Sequence, residues 1–258
     1  WTLDGATAID ARVASLTVPT MRSAVSAAKK IADQSPRDGE VHVLPVQGNV
    51  YMLVGDGTNI TASVGPEGVA LVNTGSAQMS DKILAAVSQL AQTLVTPTAA
   101  NQCVGATCPG VWGWSSPYIN TVISSPGRTR PIRYIVNTST AAEHIGGNAK
   151  IAAVGTGFRS GSLGGVVVPV EGAPVIAHEN VLNRMSAPAG KQPAFPQAAW
   201  PSVSYFDAFY KLPAYFNGEG ITVYHVPAAN TDGDSVVQFR RSEVISAGDV
   251  FSTVSYPM

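Results

Sequence analysis

Four histidines, two cysteines and 17 acidic residues carry most of the chemical potential of this 258-residue chain. Cys103 and Cys108 lie in NQCVGATCPG, a turn-rich loop with Gly105, Pro109 and Gly110. Two thiols alone cannot complete a structural zinc site, and no histidine is nearby in sequence. A local disulfide made in an oxidising compartment is the expectation, with free thiols as the alternative; in either state the pair braces a loop. Ser139 is a conceivable nucleophile, but a serine needs an adjacent base and none is evident from the sequence. His42 and His225 sit in strand-like runs, where packing or surface positions are expected. Asp232 and Asp234 flank Gly233 in a tight turn, where carboxylates commonly accept backbone N–H groups.

The elements that must position these residues follow from periodicity. A helix is expected over Pro19–Gln34, stopped by Ser35–Pro36. Short apolar runs at 41–46 (VHVLPV), 49–54 (NVYMLV), 59–64 (NITASV) and 68–73 (GVALVN) are separated by glycine-bearing turns, as in successive antiparallel strands. From Gln78 to Gln92, Met79, Ile83, Leu84, Val87 and Leu90 recur at helical spacing and give one apolar face. The segment Thr96–Arg130 holds prolines and the cysteine pair and reads as an irregular excursion. IRYIV (132–136) leads into a loop and a helix, and APVIAHENVLNRM (173–185) is another strand–helix step. Ser186–Gly220 is rich in proline and aromatics, with Phe195, Trp200, Tyr205, Phe206, Phe209, Tyr210, Tyr215 and Phe216, as in a packed wall. Strands at 221–226, 235–239 and 243–248 close the chain. Strands first, then strand–helix alternation, imply a mixed α/β layered domain.

Composition narrows the function classes. Charged residues are only 13% against an ordinary ~25%, while hydrophobic residues reach 45%, which argues against disorder. So little charge also suits a surface partly covered by a partner, or an exported protein. Basic residues are scattered and form no phosphate-binding stripe, so no nucleic-acid partner is expected. The longest apolar stretch, Gly164–Ala177, is broken by Pro169, Glu171 and Pro174, short of the ~20 residues of a membrane span. The chain opens on Trp1, which suggests either removal of an export signal or a start inside a longer sequence.

Several segments, in order, resemble the metallo-β-lactamase-fold hydrolases. LVNTG (71–75) resembles a strand ending in a D-T-G step. IRYIVNTSTAAEHIGGNAKI (132–151) resembles the signature in which a strand runs into N-T-H-x-H-x-D-H-x-G-G-N. AHENVLNRM (177–185) is similar to a segment of the periplasmic branch. NTDGDSVVQFRRSEVISAGDVF (230–251) resembles that branch's H-T-D-G-D segment and its later G-D step. The resemblance runs from about Val41 to Pro257. It implies an αββα four-layer sandwich, C-terminally incomplete in this chain, with a site at one edge. Residues 1–40 are then an N-terminal helical extension, and 41–258 a single metallo-β-lactamase-like domain.

In that family, histidines and carboxylates at loop tips hold one or two zinc ions that activate a water. The matching positions here are Ser139, Ala141 and Asn230 for the first site, none of them a good zinc donor. Glu143, His144 and Asp249 are the vestigial candidates for a second. Asn73 stands in place of the D-T-G aspartate, and His178 opens a helix, where a structural role is expected. The resemblance thus implies a catalytically inactive relative with no cofactor, acting as a structural or binding subunit in the periplasm or outside the cell. Another polypeptide is expected to cover the C-terminal side of the fold in a hetero-oligomer. The alternatives are a mononuclear hydrolase holding one divalent metal, such as zinc, on Glu143, His144 and Asp249, and a small-molecule binding module using an aromatic-walled groove.

Overall fold

The computed structural model describes residues 38–95, 131–160, 167–187, 195–213 and 215–251. The expected helix over Pro19–Gln34 and the Cys103–Cys108 pair lie outside the described residues.

Four strands open the fold as an antiparallel meander: β1 (His42–Gln47), β2 (Val50–Gly55), β3 (Thr58–Gly65) and β4 (Gly68–Val72). The turns set the register. Asp56 and Gly57 form the two-residue loop between Gly55 and Thr58, both at positive φ (49° and 78°). That is the Asp-Gly pairing favoured in a tight hairpin, because its twist matches that of the strands. A short 3-10 turn then leads into helix α1 (Ser80–Val95). Its apolar stripe of Ile83, Val87 and Ala91 is buried, together with Met79 just before it.

The chain returns as β5 (Ile132–Val136), parallel to β4. The register shifts by one residue between Val69 and Ala70, so Val69 faces Ile132 and Ala70 faces Tyr134. This explains why Ile132 and Ile135, three apart, share one face of the sheet. Two short helices follow, α2 (Ala142–Ile145) and α3 (Asn148–Ala153), where the sequence suggested a loop and one helix. Strands β6 (Thr156–Ser160) and β7 (Val167–Glu171) form a separate hairpin that sequence patterning did not reveal. Then come β8 (Val175–His178), helix α4 (Glu179–Ser186) and β9 (Val203–Tyr205). The large sheet runs β1-β2-β3-β4-β5-β8-β9. The last four strands, β10 (Phe209–Lys211), β11 (Ile221–His225), β12 (Ser235–Phe239) and β13 (Val244–Ser246), form a second, antiparallel sheet. The aromatic stretch is therefore not one irregular wall: it gives β9 to one sheet and β10 to the other.

Strand β4, GVALV, is buried at every position because both of its faces are covered. Val69 and Leu71 face α1 and α3, packing with Ile60, Ile83 and Ile151. Ala70 and Val72 face the second sheet, packing with Ile221, Val223, Val237 and Phe239. Each such fully buried aliphatic contributes roughly 1.5–3 kcal/mol. At the far end of the sandwich the buried carboxylate of Glu219 accepts both the N–H and the hydroxyl of Ser242, each at 3.1 Å, which is how such a group is tolerated inside.

The two sheets packed face to face, with helices on the outer side of the first, match the expected sandwich. Among the described residues the outer face of the second sheet remains open: Phe209, Tyr224 and Ile245 are 48%, 39% and 64% exposed.

The Asp56–Gly57 turn separates backbone from packing. A Cβ on Gly57 would meet nothing within 4 Å. Gly57→Ala is therefore expected to cost about 1 kcal/mol through its left-handed backbone alone, and Gly57→Asn less. Chemical denaturation of the two variants measures the difference.

Candidate functional site

The candidate site lies at the carboxyl ends of the parallel strands β4 and β5, where open α/β sheets usually carry their chemistry. Beyond β4 the chain turns at Asn73, a non-glycine residue with φ 68°. Asparagine tolerates this conformation better than most residues. Its backbone N–H reaches Val136 O at 2.8 Å, extending the parallel pairing past the strand. Its side chain bridges to the loop after β5: Oδ1 accepts Thr138 N–H at 3.0 Å, and Nδ2 donates to Thr138 Oγ1 at 2.9 Å. An aspartate could not make the second bond.

A second buried tie lies beside the first. Thr74 N–H donates to His144 O at 2.7 Å, and its hydroxyl donates to Asn148 Oδ1 at 2.9 Å. Asn148 and Asn137 exchange amide bonds at 2.8 and 3.1 Å, and Asn148 also donates to Ala199 O at 2.9 Å. These buried amides leave little freedom to the loop that carries Ser139, Ala141, Glu143 and His144.

Three of the functional candidates meet. Ser139 Oγ donates to Asp249 Oδ2 at 2.9 Å and lies 2.8 Å from His144 Nδ1. With its proton on the carboxylate, the hydroxyl accepts from the ring, so His144 carries its proton on Nδ1. His144 Nε2 faces Asp249 Oδ1 at 3.4 Å, longer than a good hydrogen bond. Asp249 is delivered by a short 3-10 turn that begins at Gly248. Gly248 is required there: its φ is 55°, and a Cβ would lie 2.5 Å from Thr138 Oγ1.

The sequence concealed this closeness. Ser139 does have a histidine beside it, which corrects the expectation of no adjacent base. The trio nevertheless differs from a nucleophilic triad, in which the serine proton goes to the histidine and the carboxylate touches only the ring. Here Ser139 donates straight to the carboxylate and is only 2% exposed. It is a hydrogen-bonded clasp.

The other candidates separate. Glu143 is exposed on α2, and Asn230 is exposed in the loop after β11. Among the described residues no three His, Cys, Asp or Glu side chains converge in a way that could hold a metal. His42 pairs with Asp38 at 2.9 Å on the surface. Asp234 accepts the Thr231 hydroxyl at 2.7 Å and closes its own turn, whereas Asp232 reaches Arg184 Nε at 2.7 Å. That bond, ahead of any other influence, holds the Asp232 carboxyl below its ordinary range. His178 caps α4, its Nδ1 accepting Asn180 N–H at 3.3 Å, as expected for a helix-start residue. What the sequence did not disclose is that His178 stacks on His225, with ring centroids 3.6 Å apart and planes 12° apart. Tyr205 packs edge-on to His178, and burial pushes its phenol up to about 12 despite a hydrogen bond from Ser235.

Solved structures share this architecture. A B3 metallo-β-lactamase with an active-site glutamic acid aligns over 82% of this chain with a TM-score of 0.50 and 16% identity. The chain has the metallo-β-lactamase fold. It spans 61% of the length of that lactamase. A subclass B3 enzyme of Bradyrhizobium japonicum aligns over 81% of this chain and 60% of its own, with a TM-score of 0.49 and 15% identity. For the enzyme MIM-1 from Novosphingobium pentaromativorans the values are 82%, 62%, 0.49 and 14%. No family profile and no curated protein matches the sequence.

The fold implies zinc, and the side chains present do not fit it. Ala141 offers no donor, Ser139 Oγ and Asp249 Oδ2 are engaged with each other, and Glu143 and Asn230 lie exposed. No catalytic step can be assigned through a metal with this donor set.

If the clasp is a structural tie, removing one corner strands the other two. Ser139→Ala is expected to destabilise the protein by about 1–3 kcal/mol, the usual cost of unsatisfied buried partners. Thermal unfolding beside Glu143→Ala, an exposed neighbour expected to be near neutral, provides the comparison.

Proposed function

We propose that this chain is a non-catalytic protein of the metallo-β-lactamase fold that serves as a structural or binding subunit of a larger assembly. The observation that carries the reading is the clasp. At the edge where the fold's chemistry would sit, the Ser139 hydroxyl bonds both His144 Nδ1 and Asp249 Oδ2, which ties these side chains to each other. The loop that holds them is kept in place by buried amides from Asn73, Asn137 and Asn148. Such an edge retains the scaffold and lacks the means to activate water.

The subunit role is supported by the open face of the second sheet. Phe209 and Tyr224 are cross-strand partners there with ring centroids 6.4 Å apart, and Ile245 lies opposite Gln238 on the edge strand. Apolar groups side by side on a sheet face, with an edge strand unpaired among the described residues, are an association surface or an aggregation hazard. We assign this face to another polypeptide in a hetero-oligomer. Low charge and the expected cysteine bridge support an exported location.

Two measurements test the reading. Purified protein analysed for metals after dialysis is expected to carry no stoichiometric zinc, iron or manganese. It is also expected to hydrolyse lactams, thioesters and sulfate esters no faster than background. Equimolar zinc that disappears in His144→Ala would establish the mononuclear hydrolase instead. Native mass spectrometry of protein isolated from its source should reveal a second polypeptide, and a structure of that complex an interface of about 2,000 Å² or more. A stable monomer with the sheet face open to water would remove the subunit role.

A further inference from the structure

The stacked histidines are not part of the clasp, and their position is unusual. His178 ends β8 in the large sheet and His225 ends β11 in the small one, so the pair joins the two sheets across the sandwich. Each ring also holds a separate piece of chain. His178 Nδ1 accepts Asn180 N–H and caps α4, so the neutral ring carries its proton on Nε2. His225 Nε2 donates to Asp232 O at 2.8 Å and pins the loop of residues 226–234. The same carbonyl accepts from Asn180 Nδ2 at 2.8 Å, and the Asp232 carboxylate holds Arg184 of α4. Helix cap, stack and loop therefore form one connected unit.

Protonation acts on this unit at two points. A proton on His178 Nδ1 removes the acceptor of the helix cap. A second positive charge on His225, with ring centres 3.6 Å apart, turns a stack into a repulsion. We propose that the His178–His225 pair is an acid-sensitive latch, which holds the 226–234 loop and the ends of the two sheets together when neutral and releases the loop on acidification.

The surroundings set the direction. His178 is 3% exposed; Glu179 and Arg184 lie on its own helix, Tyr205 on β9 with Tyr210 stacked beyond it, and Asp232 in the loop. The carboxylates of Glu179 and Asp232 and the Phe206 backbone favour a proton on His178. Burial, followed by the charge of His225, outweighs them and pushes the imidazole below its ordinary range. The folded state thus binds this proton less readily than the unfolded chain. The latch is at full strength above the usual histidine value of ~6.5 and weakens as pH falls through the lowered folded value.

Hydrogen exchange of the 226–234 amides between about pH 7 and pH 5, corrected for the intrinsic rate, tests the latch alongside imidazole titration by NMR. Protection is expected to fall roughly tenfold or more, with a midpoint that coincides with the titration of His178. His178→Asn keeps a good helix cap and removes the titrating group, so its loop should hold its protection across the same range. Acid release in His178→Asn like that of the wild type would overturn the proposal. So would a wild-type loop that stays protected, or opens at a pH where neither histidine titrates. Should His178→Asn fail to fold, the wild-type coincidence of midpoints decides alone.

Discussion

The constraint on which this structure depends is that backbone polar groups beyond the ends of β4 and β5 are buried and must be satisfied from within. Parallel strands pair only along their length; past the last ladder bond the chain needs other partners. Asn73 supplies them on one side, by entering a left-handed turn and matching its amide to Thr138. On the other side Thr74 gives both its N–H and its hydroxyl to His144 O, Asn137 N–H reaches Ile176 O, and the Asn148 amide donates to Ala199 O. The loop with the signature residues has its shape because these amides require it, and that shape brings Ser139 and His144 together. Asp249 arrives from the other sheet, on a turn that only a glycine next to Thr138 allows.

The clasp shows how a site can change its chemistry while its frame persists. A metal ion ties loops by drawing several donors to one point, and it keeps a position open for a water. Ser139, His144 and Asp249 also tie loops distant in sequence, through two hydrogen bonds that share the Ser139 hydroxyl. That small group permits the tie because it touches the histidine and the carboxylate at once.

The sequence disclosed much of the fold and only part of the site. Strands β1 to β5, β8, β11, β12 and β13 and the helix α1 were legible, because apolar alternation, glycine turns and helical spacing are local signals. The β6–β7 hairpin was not, since its flanking residues are glycine-rich and, among the described residues, its strands pair with each other and join neither large sheet. Strands β9 and β10 are three residues each, too short for a period to register. Among the site residues, spacing along the chain separated Ser139 from Asp249 by 110 positions, and only tertiary packing reveals their bond. The stacking of His178 on His225 was hidden for the same reason: two strands of different sheets end at the same level.

The partnership of β4 with β5 has a kinetic consequence. Strands β1 to β4 join neighbours in sequence through tight turns, so their contacts form at little cost in chain entropy. β5 pairs with β4 only after about 60 intervening residues close into a loop, and β8 and β9 can then add to its edge. Pairing within the meander therefore costs less chain entropy than pairing β4 with β5, and β4 is the apolar edge that the returning chain covers.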